Sequence, residues 1–499
     1  MLPQPRADLK PNTLAYETVP LVKPTGFREY DARWLFGPEI NLLGVQALGL
    51  GLGTLIREMG KEPKIVVGHD FRSYSMSIKQ ALSVGLMSAG IEVRDIGLAL
   101  SPVAYFAQFA LDVPCVAMVT ASHNENGWTG VKMGVERPLT FGPDEMARLK
   151  DIVLSGAGET AAGGGYRYVE GMREKYIADL TDGVKITRKL KVIAACGNGT
   201  AGAYAPEALS RLGVEVVPMD AELDHSFPKY NPNPEDLKML HAMQEAVKEH
   251  GADLALGFDG DGDRCGVVDD EGEEIFADKI GVLLARDLSA QHPNARFVVD
   301  VKSTGLFVTD PVLRENGAET EYWKTGHSYI KRKSHETGAL AGFEKSGHFF
   351  FNKPIGRGYD DGLVAAIAIL RMLDRNPDKK LSDLRKSLPK TWQSPTMSPH
   401  CDDEKKYAVV ERIVQTFLDR AKQGGAVIGK KIRDVVTVNG VRVTAEDGTW
   451  GLIRASSNKP ELVVVVESPT SEANMKAMFA ELDEVIRQHP EVGPYNQKI

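Results

Sequence analysis

Three times along the chain a short apolar, β-branched run is followed by a Gly- or Ser-rich turn and then by a helical pattern. The runs are Ile65–Val67 leading into GHDFRS, Val192–Ala195 into CGNGTAG, and Phe297–Val301 into KSTG. Strands buried on both faces read as continuous apolar runs, because parallel sheets carry helices on either side. The recurrence therefore predicts three related α/β units rather than one long sheet. At 499 residues the chain is also too long for a single core. The C-terminal part departs from this grammar. Val435–Thr444 alternates around Asn439-Gly440, a hairpin signal. Gly451–Ala455 and Leu462–Val466 read as further strands, and Ser471 to His489 as a helix burying Met475, Met478, Phe479, Leu482, Val485 and Ile486. An antiparallel α+β module is expected there, preceded by a Pro- and Ser-rich linker, Leu388 to Pro399. A Gly/Ala-rich tract, Ser155 to Gly165, marks the end of the first unit. The predicted division is 1–166, 167–273, 274–392 and 393–499.

Charge and cysteine content exclude several classes. The formal net charge of −8, with no basic block, argues against a nucleic-acid partner. The four cysteines, Cys115, Cys196, Cys265 and Cys401, form no CxxC pair, so neither a zinc site nor a disulfide framework is expected. The run Ile40 to Ile56 is broken by Asn41, Gln46 and four glycines and is shorter than the roughly 20 apolar residues that span a bilayer. It reads as a tightly packed helix whose small residues admit a close neighbour. A soluble, cytoplasmic protein without membrane contact is expected.

Four segments carry candidate chemistry. In Phe258–Arg264, FDGDGDR, alternation brings Asp259, Asp261 and Asp263 to one side, and three crowded carboxylates call for a hard cation. An EF-hand loop wants Gly at position six and Glu at twelve, where Arg264 and Asp270 stand, so that reading fails. An all-oxygen site with few protein ligands suits Mg²⁺, the competing reading being a solvated acidic turn. In Val119–Met133 Ser122 sits at a turn beside His123, Asn124 and Asn126, with Lys132 further on. A serine there is either a turn former or a reactive hydroxyl, and no GxSxG elbow supports a hydrolase. In Gly342–Phe350, GFEKSGHFF, Glu344, Ser346 and His348 alternate; they suit a polyol such as a sugar, or belong to a polar edge strand. In Arg454–Pro460, RASSNKP, Arg454, Ser456, Ser457 and Asn458 suit a phosphate dianion, or simply form a polar hairpin tip.

In this order, together with FREYDAR (Phe27–Arg33) and TGHSYIK (Thr325–Lys331), these segments resemble the α-D-phosphohexomutase superfamily, most closely its phosphomannomutase/phosphoglucomutase group. The resemblance runs from about residue 25 to the end. It implies four domains around a central cleft, and a hexose 1-phosphate/hexose 6-phosphate interconversion through a phosphoserine and a hexose 1,6-bisphosphate. On matching positions it implies phosphorylation of Ser122, which would bind Mg²⁺ together with Asp259, Asp261 and Asp263. Arg33, Lys132 and Arg264 would supply positive charge, and His327, His348 and Lys132 are candidate general bases. Tyr30, Lys302, Glu344 and Ser346 would contact substrate, with Arg454, Ser456, Ser457 and Asn458 on the distal phosphate. Hexose phosphates would be the partners of a monomer or weak homodimer. The alternatives are a phosphoglucosamine mutase and, more remotely, a non-catalytic sugar-phosphate-binding paralogue. Glu125 after Asn124, Phe343 before Glu344 and Trp34 after Arg33 depart from the common family pattern.

Overall fold

A computed structural model describes residues 19–457 and 459–497. It divides into two compact units, one of residues 1–280 with 346–383 and one of residues 281–345 with 384–499.

In the first unit, strands β1 (Ala32–Leu35), β2 (Lys64–His69), β3 (Glu92–Leu98), β4 (Cys115–Val119), β5 (Trp128–Gly134) and β6 (Gly165–Tyr168) form one sheet in the order β1-β5-β4-β2-β3-β6. The run at Ile65 lies in its centre, with β2 parallel to both β3 and β4 and Ile65, Val66 and Val67 fully buried. The Gly-rich run is the helix Leu42–Glu58, and its small residues admit close neighbours as expected: Gly49 faces the helix Ser75–Ser88 and Gly51 faces the helix Pro143–Ser155. A Cβ on Gly85 would lie 2.0 Å from the Gln46 carbonyl oxygen, and one on Gly49 would lie 2.2 Å from that of Leu82. A second sheet, from β7 (Lys191–Ala195), β8 (Glu215–Met219), β9 (Leu254–Phe258), β10 (Cys265–Asp269) and β11 (Glu274–Ile275), has the order β11-β10-β9-β7-β8. Again the predicted run, β7, is central and parallel to both neighbours.

The third copy lies in the second unit, where β12 (Arg296–Asp300) pairs in parallel with β13 (Glu319–Trp323) and β14 (Ala341–Phe343). The chain then returns to the first unit with β15 (Phe349–Phe351) and the helix Gly362–Asp374. The last sheet belongs to the second unit. Its strands are β16 (Trp392–Gln393), β17 (Ala426–Val427), β18 (Lys430–Val436), β19 (Val441–Ala445), β20 (Trp450–Ala455) and β21 (Leu462–Ser468), in the order β16-β21-β20-β19-β18-β17. The helices Lys406–Lys422 and Glu472–Arg487 pack on it, and the six buried residues of the latter are those predicted. The architecture is thus three related α/β domains followed by an α+β domain.

The stretch read as a linker is tied to this last sheet. Trp392 and Gln393 pair with Ser468 and Glu467, and Met397 exchanges backbone hydrogen bonds with Val464. Within the same unit, Arg442 of β19 lies between the rings of Tyr322 (4.1 Å) and Trp450 (3.6 Å) and donates to the carbonyls of Val301 (2.8 Å) and Ser303 (2.7 Å). Glu467 accepts from Thr304 Oγ1, the Gly305 amide and Trp450 Nε1. Lys302 therefore sits on a loop gripped by the C-terminal sheet. All four cysteines are free and buried. Among the described residues no helix is long and apolar enough to cross a membrane.

Candidate active site

Two loops of the first unit meet at the ends of their sheets, where ligand loops of open α/β sheets lie. The β4–β5 loop carries Ser122, whose φ of 51° is left-handed, a region that non-glycine residues rarely occupy. The β9–β10 loop carries the aspartates. Ser122 Oγ donates to Asp259 Oδ2 at 2.9 Å and lies 3.2 Å from His123 Nδ1. The Asp261 carbonyl accepts from the Ser101 amide, and Asp261 Oδ2 from Ser101 Oγ at 2.6 Å. The Ser122 bond joins the two loops, and the Ser101 bonds tie the aspartate loop to the start of the helix Ser101–Ala110.

Asp259, Asp261 and Asp263 are fully buried, each presenting an oxygen within 4.8 Å of the others. Lys132, from β5, binds Asp261 Oδ2 (2.7 Å) and Asp263. Arg264 Nε stands 3.8 Å from Asp259. Even so, Asp261 Oδ1 is buried without a hydrogen-bond partner. The Asp259 carboxyl is pushed up to about 8 by burial and by the charges of Asp263 and Asp261. A buried orphan oxygen beside carboxylates that resist ionising together is the environment a divalent cation relieves. These residues fit such an ion.

The other groups sort by charge. Burial opposes ionisation of Asp263, but Lys132, His348 and Arg264 hold it well below the usual carboxylate range. Burial likewise opposes the Lys132 charge, yet Asp261 and Asp263 keep it well above its ordinary value. Lys132 is thus a fixed ammonium at neutral pH. His123, which the sequence reading left among the neighbours of Ser122, is held well below its ordinary value by burial and by the Arg264 and Arg33 charges. It is a neutral imidazole beside the hydroxyl. His348 Nε2 lies 3.3 Å from Asp263 Oδ1 and 4.0 Å from Asp360 Oδ2, with Nδ1 3.0 Å from Ser346 Oγ. Arg33, on β1, donates to Asp31 (2.9 Å) and to Asn124 Oδ1 (3.1 Å), so it touches the serine loop. Tyr30 is buried three residues earlier.

The alternation expected of Glu344, Ser346 and His348 does not occur. The chain turns at residues 345–347, with Gly347 at φ 93°, so the segment is not extended. Ser346 and His348 join the aspartate loop, whereas Glu344 lies in the second unit and accepts from the Gly326 amide. His327 follows Gly326 as the buried first residue of the helix His327–Thr337. Asp300, unforeseen from the sequence, organises this second group. It accepts from Ser303 Oγ, Thr325 Oγ1 (3.1 Å) and the Lys345 amide (3.3 Å), with Lys302 Nζ 3.8 Å away. Thr325 in turn donates its amide to Asn439 of the last sheet's hairpin at 3.3 Å. Arg454 is buried on β20, its Nη1 bonded to the Ala455 carbonyl (2.8 Å) and its Nε without a partner. Ser456 and Ser457 follow; Asn458 lies outside the described residues.

Known proteins share this series of domains. The three models of the phosphoglucomutase/phosphomannomutase alpha/beta/alpha domains I, II and III match residues 24–158, 167–272 and 276–392, and the C-terminal domain model matches 400–485. A phosphomannomutase/phosphoglucomutase of Pseudomonas putida is 33% identical over 475 residues, covering 95% of this chain and 98% of that protein. A Neisseria meningitidis phosphoglucomutase is 30% identical over 464 residues, covering 93% and 97%. The crystal structure of a family member from Burkholderia thailandensis superposes with a TM-score of 0.83 at 29% identity, covering 94% of this chain and 98% of that one. Matched in every domain and along nearly all of its length, this chain belongs to the phosphoglucomutase/phosphomannomutase family, whose members are isomerases of the phosphohexomutase type.

Proposed function

We propose that the protein interconverts hexose 1-phosphates and hexose 6-phosphates of glucose and mannose, with Ser122 as the phosphoryl carrier. The observation that carries this reading is the Ser122 hydroxyl, fixed on Asp259 inside a buried cluster of three carboxylates, one lysine and one arginine. Aligned groups and preorganised charge are what phosphoryl transfer requires of a protein.

In the first half-reaction a hydroxyl oxygen of the hexose phosphate bonds to the phosphorus on Ser122 and the P–Oγ bond breaks. The hydroxyl proton passes to a base, and a hexose 1,6-bisphosphate results. The second half-reaction reverses these bonds at the sugar's other phosphate and restores phospho-Ser122. His348, whose Nδ1 faces Ser346 Oγ and whose Nε2 faces Asp263, suits the base, whereas Lys132, held as an ammonium, suits stabilising the transferring oxygens. Arg33 and Arg264 add fixed positive charge on the same side as Ser122. Asp259, Asp261 and Asp263 would hold Mg²⁺ with the Ser122 side chain, and a bound Mg²⁺ would draw negative charge from the phosphoryl group. In the second unit Lys302, Arg454, Ser456 and Ser457, with Asn458, are assigned to the distal phosphate and Glu344 to sugar hydroxyls, as is Ser346 of the first unit. Tyr30 and His327 are assigned to substrate contact. The free, buried cysteines suit the reducing cytoplasm.

A coupled assay comparing glucose 1-phosphate, mannose 1-phosphate and glucosamine 1-phosphate, each with Mg²⁺ and a trace of bisphosphate, tests the assignment. Turnover of the first two should exceed that of the amino sugar by about tenfold or more. Turnover of glucosamine 1-phosphate alone would make the protein a phosphoglucosamine mutase; turnover of none would leave a sugar-phosphate-binding paralogue.

A further inference from the structure

The GHDFRS turn after β2 belongs to the repeated sequence pattern, yet the chemistry above does not use it. Its Asp70 and Arg72 form an ion pair with both side chains only 1% exposed. Every polar arm of this pair except Arg72 Nε is committed, and most reach across about fifty residues to one loop. Asp70 Oδ2 accepts from Arg72 Nη1, from Thr120 Oγ1 (2.9 Å) and from the Ala121 amide (3.3 Å). Oδ1 accepts from Ser75 Oγ and from the Arg72 amide (3.2 Å). Arg72 Nη2 donates to the carbonyls of Ser122 (3.1 Å) and Asn124.

Both backbone groups of Ser122 are thereby fixed. Its carbonyl is held by Arg72 directly. Its amide donates to Thr120 Oγ1 at 2.9 Å, whose own proton goes to Asp70. A serine at φ 51° persists only where its surroundings impose that conformation. The Ser122 carbonyl also abuts the aspartate loop, since a Cβ on Gly260 would lie 2.6 Å from its oxygen. Rotation of the Ser122 peptide would therefore press on the residues around Asp259.

We propose that Asp70 and Arg72 are positioning residues for phosphoryl transfer, holding the residue 120–124 loop in the left-handed turn that aims Ser122 Oγ at Asp259. They act through the Ser122 backbone, with no bond to Oγ. This rests on the proposed role of Ser122 as carrier. A bidentate fork is needed, because one guanidinium must reach Asp70 and two carbonyls at once, which a lysine ammonium cannot do in the same plane.

The test is single-turnover discharge. Protein charged from isotope-labelled glucose 1,6-bisphosphate is mixed with unlabelled glucose 1-phosphate, and the loss of label from Ser122, where the sugar's own phosphate replaces it, is followed by quenching and peptide mass measurement. Arg72→Lys should discharge about 30-fold more slowly with KM changed less than about threefold, since small misplacements of reacting groups cost rate rather than binding. Arg72→Ala should recover part of its rate when guanidinium ion is added, a response that a purely structural residue would not give. Discharge by Arg72→Lys within threefold of the wild type overturns the proposal. Should that variant not fold, Thr120→Val, which removes the relay and leaves the ion pair intact, decides by the same criterion. A wild-type protein that never takes up phosphate would instead remove the carrier role itself.

Discussion

At the scale of single residues, the reacting groups are set by burial acting on charge. Asp259, Asp261 and Asp263 are wholly buried, and one lysine with one arginine does not satisfy all their oxygens. Asp261 has an orphan oxygen and bonds to both Lys132 and Ser101. Replacing it with Asn keeps the shape and removes one charge. Asp261→Asn should retain its far-ultraviolet circular dichroism while losing about two orders of magnitude or more in kcat. Chelator should abolish wild-type turnover, and Mg²⁺ should restore it. Undiminished wild-type activity in chelator would contradict the metal assignment.

At the scale of elements, local pattern and long-range contact part company. The central strands β2, β7 and β12 were legible because burial on both faces leaves a continuous apolar run. Edge strands were not: β6 reads GYRY and β13 reads ETEYW, and their polar, partly exposed residues resemble any loop. The aspartate loop was legible because its three carboxylates lie within five residues. Asp70, Arg72 and Asp300 were not recognisable as supports, because their partners are distant in sequence. The alternation of Glu344, Ser346 and His348 failed at Gly347, whose positive φ ends the extended run on which alternation depends. The helix Leu42–Glu58 shows what small residues signify when they cluster. Gly85→Ala should destabilise the protein by about 1–3 kcal/mol through collision with the Gln46 carbonyl, lowering the urea midpoint. An unchanged midpoint would mean that the two helices part at little cost.

At the scale of the whole molecule, the net charge of −8 describes the surface average and says little about the chemistry. The first unit concentrates Lys132, Arg264 and Arg33 around buried acids, and the second places Lys302 beside Asp300 and buries Arg454. Global stability should carry the mark of another buried acid. Burial pushes the Asp361 carboxyl up to about 7, despite bonds from Leu363, Val364 and Tyr176. Since this exceeds the ordinary value of about 3.9, the folded state holds the extra proton between about pH 4 and 7. Stability contributed by Asp361 is therefore full below that window, falls as pH rises through it, and is level above it. The melting temperature of Asp361→Asn should decline less than that of the wild type between pH 5 and 8; parallel declines would contradict the assignment. For the protein as a catalyst, the central claim is that Ser122 carries phosphate during turnover. Peptide mass spectrometry of the wild type and Ser122→Ala, before and after incubation with glucose 1,6-bisphosphate and then with glucose 1-phosphate, tests it directly. With isotope-labelled bisphosphate, labelled phosphate should appear on Ser122 and be replaced by unlabelled phosphate when the monophosphate is added, and Ser122→Ala should show neither phosphate nor turnover. Full activity with Ser122 unmodified throughout, or in the alanine variant, would contradict it.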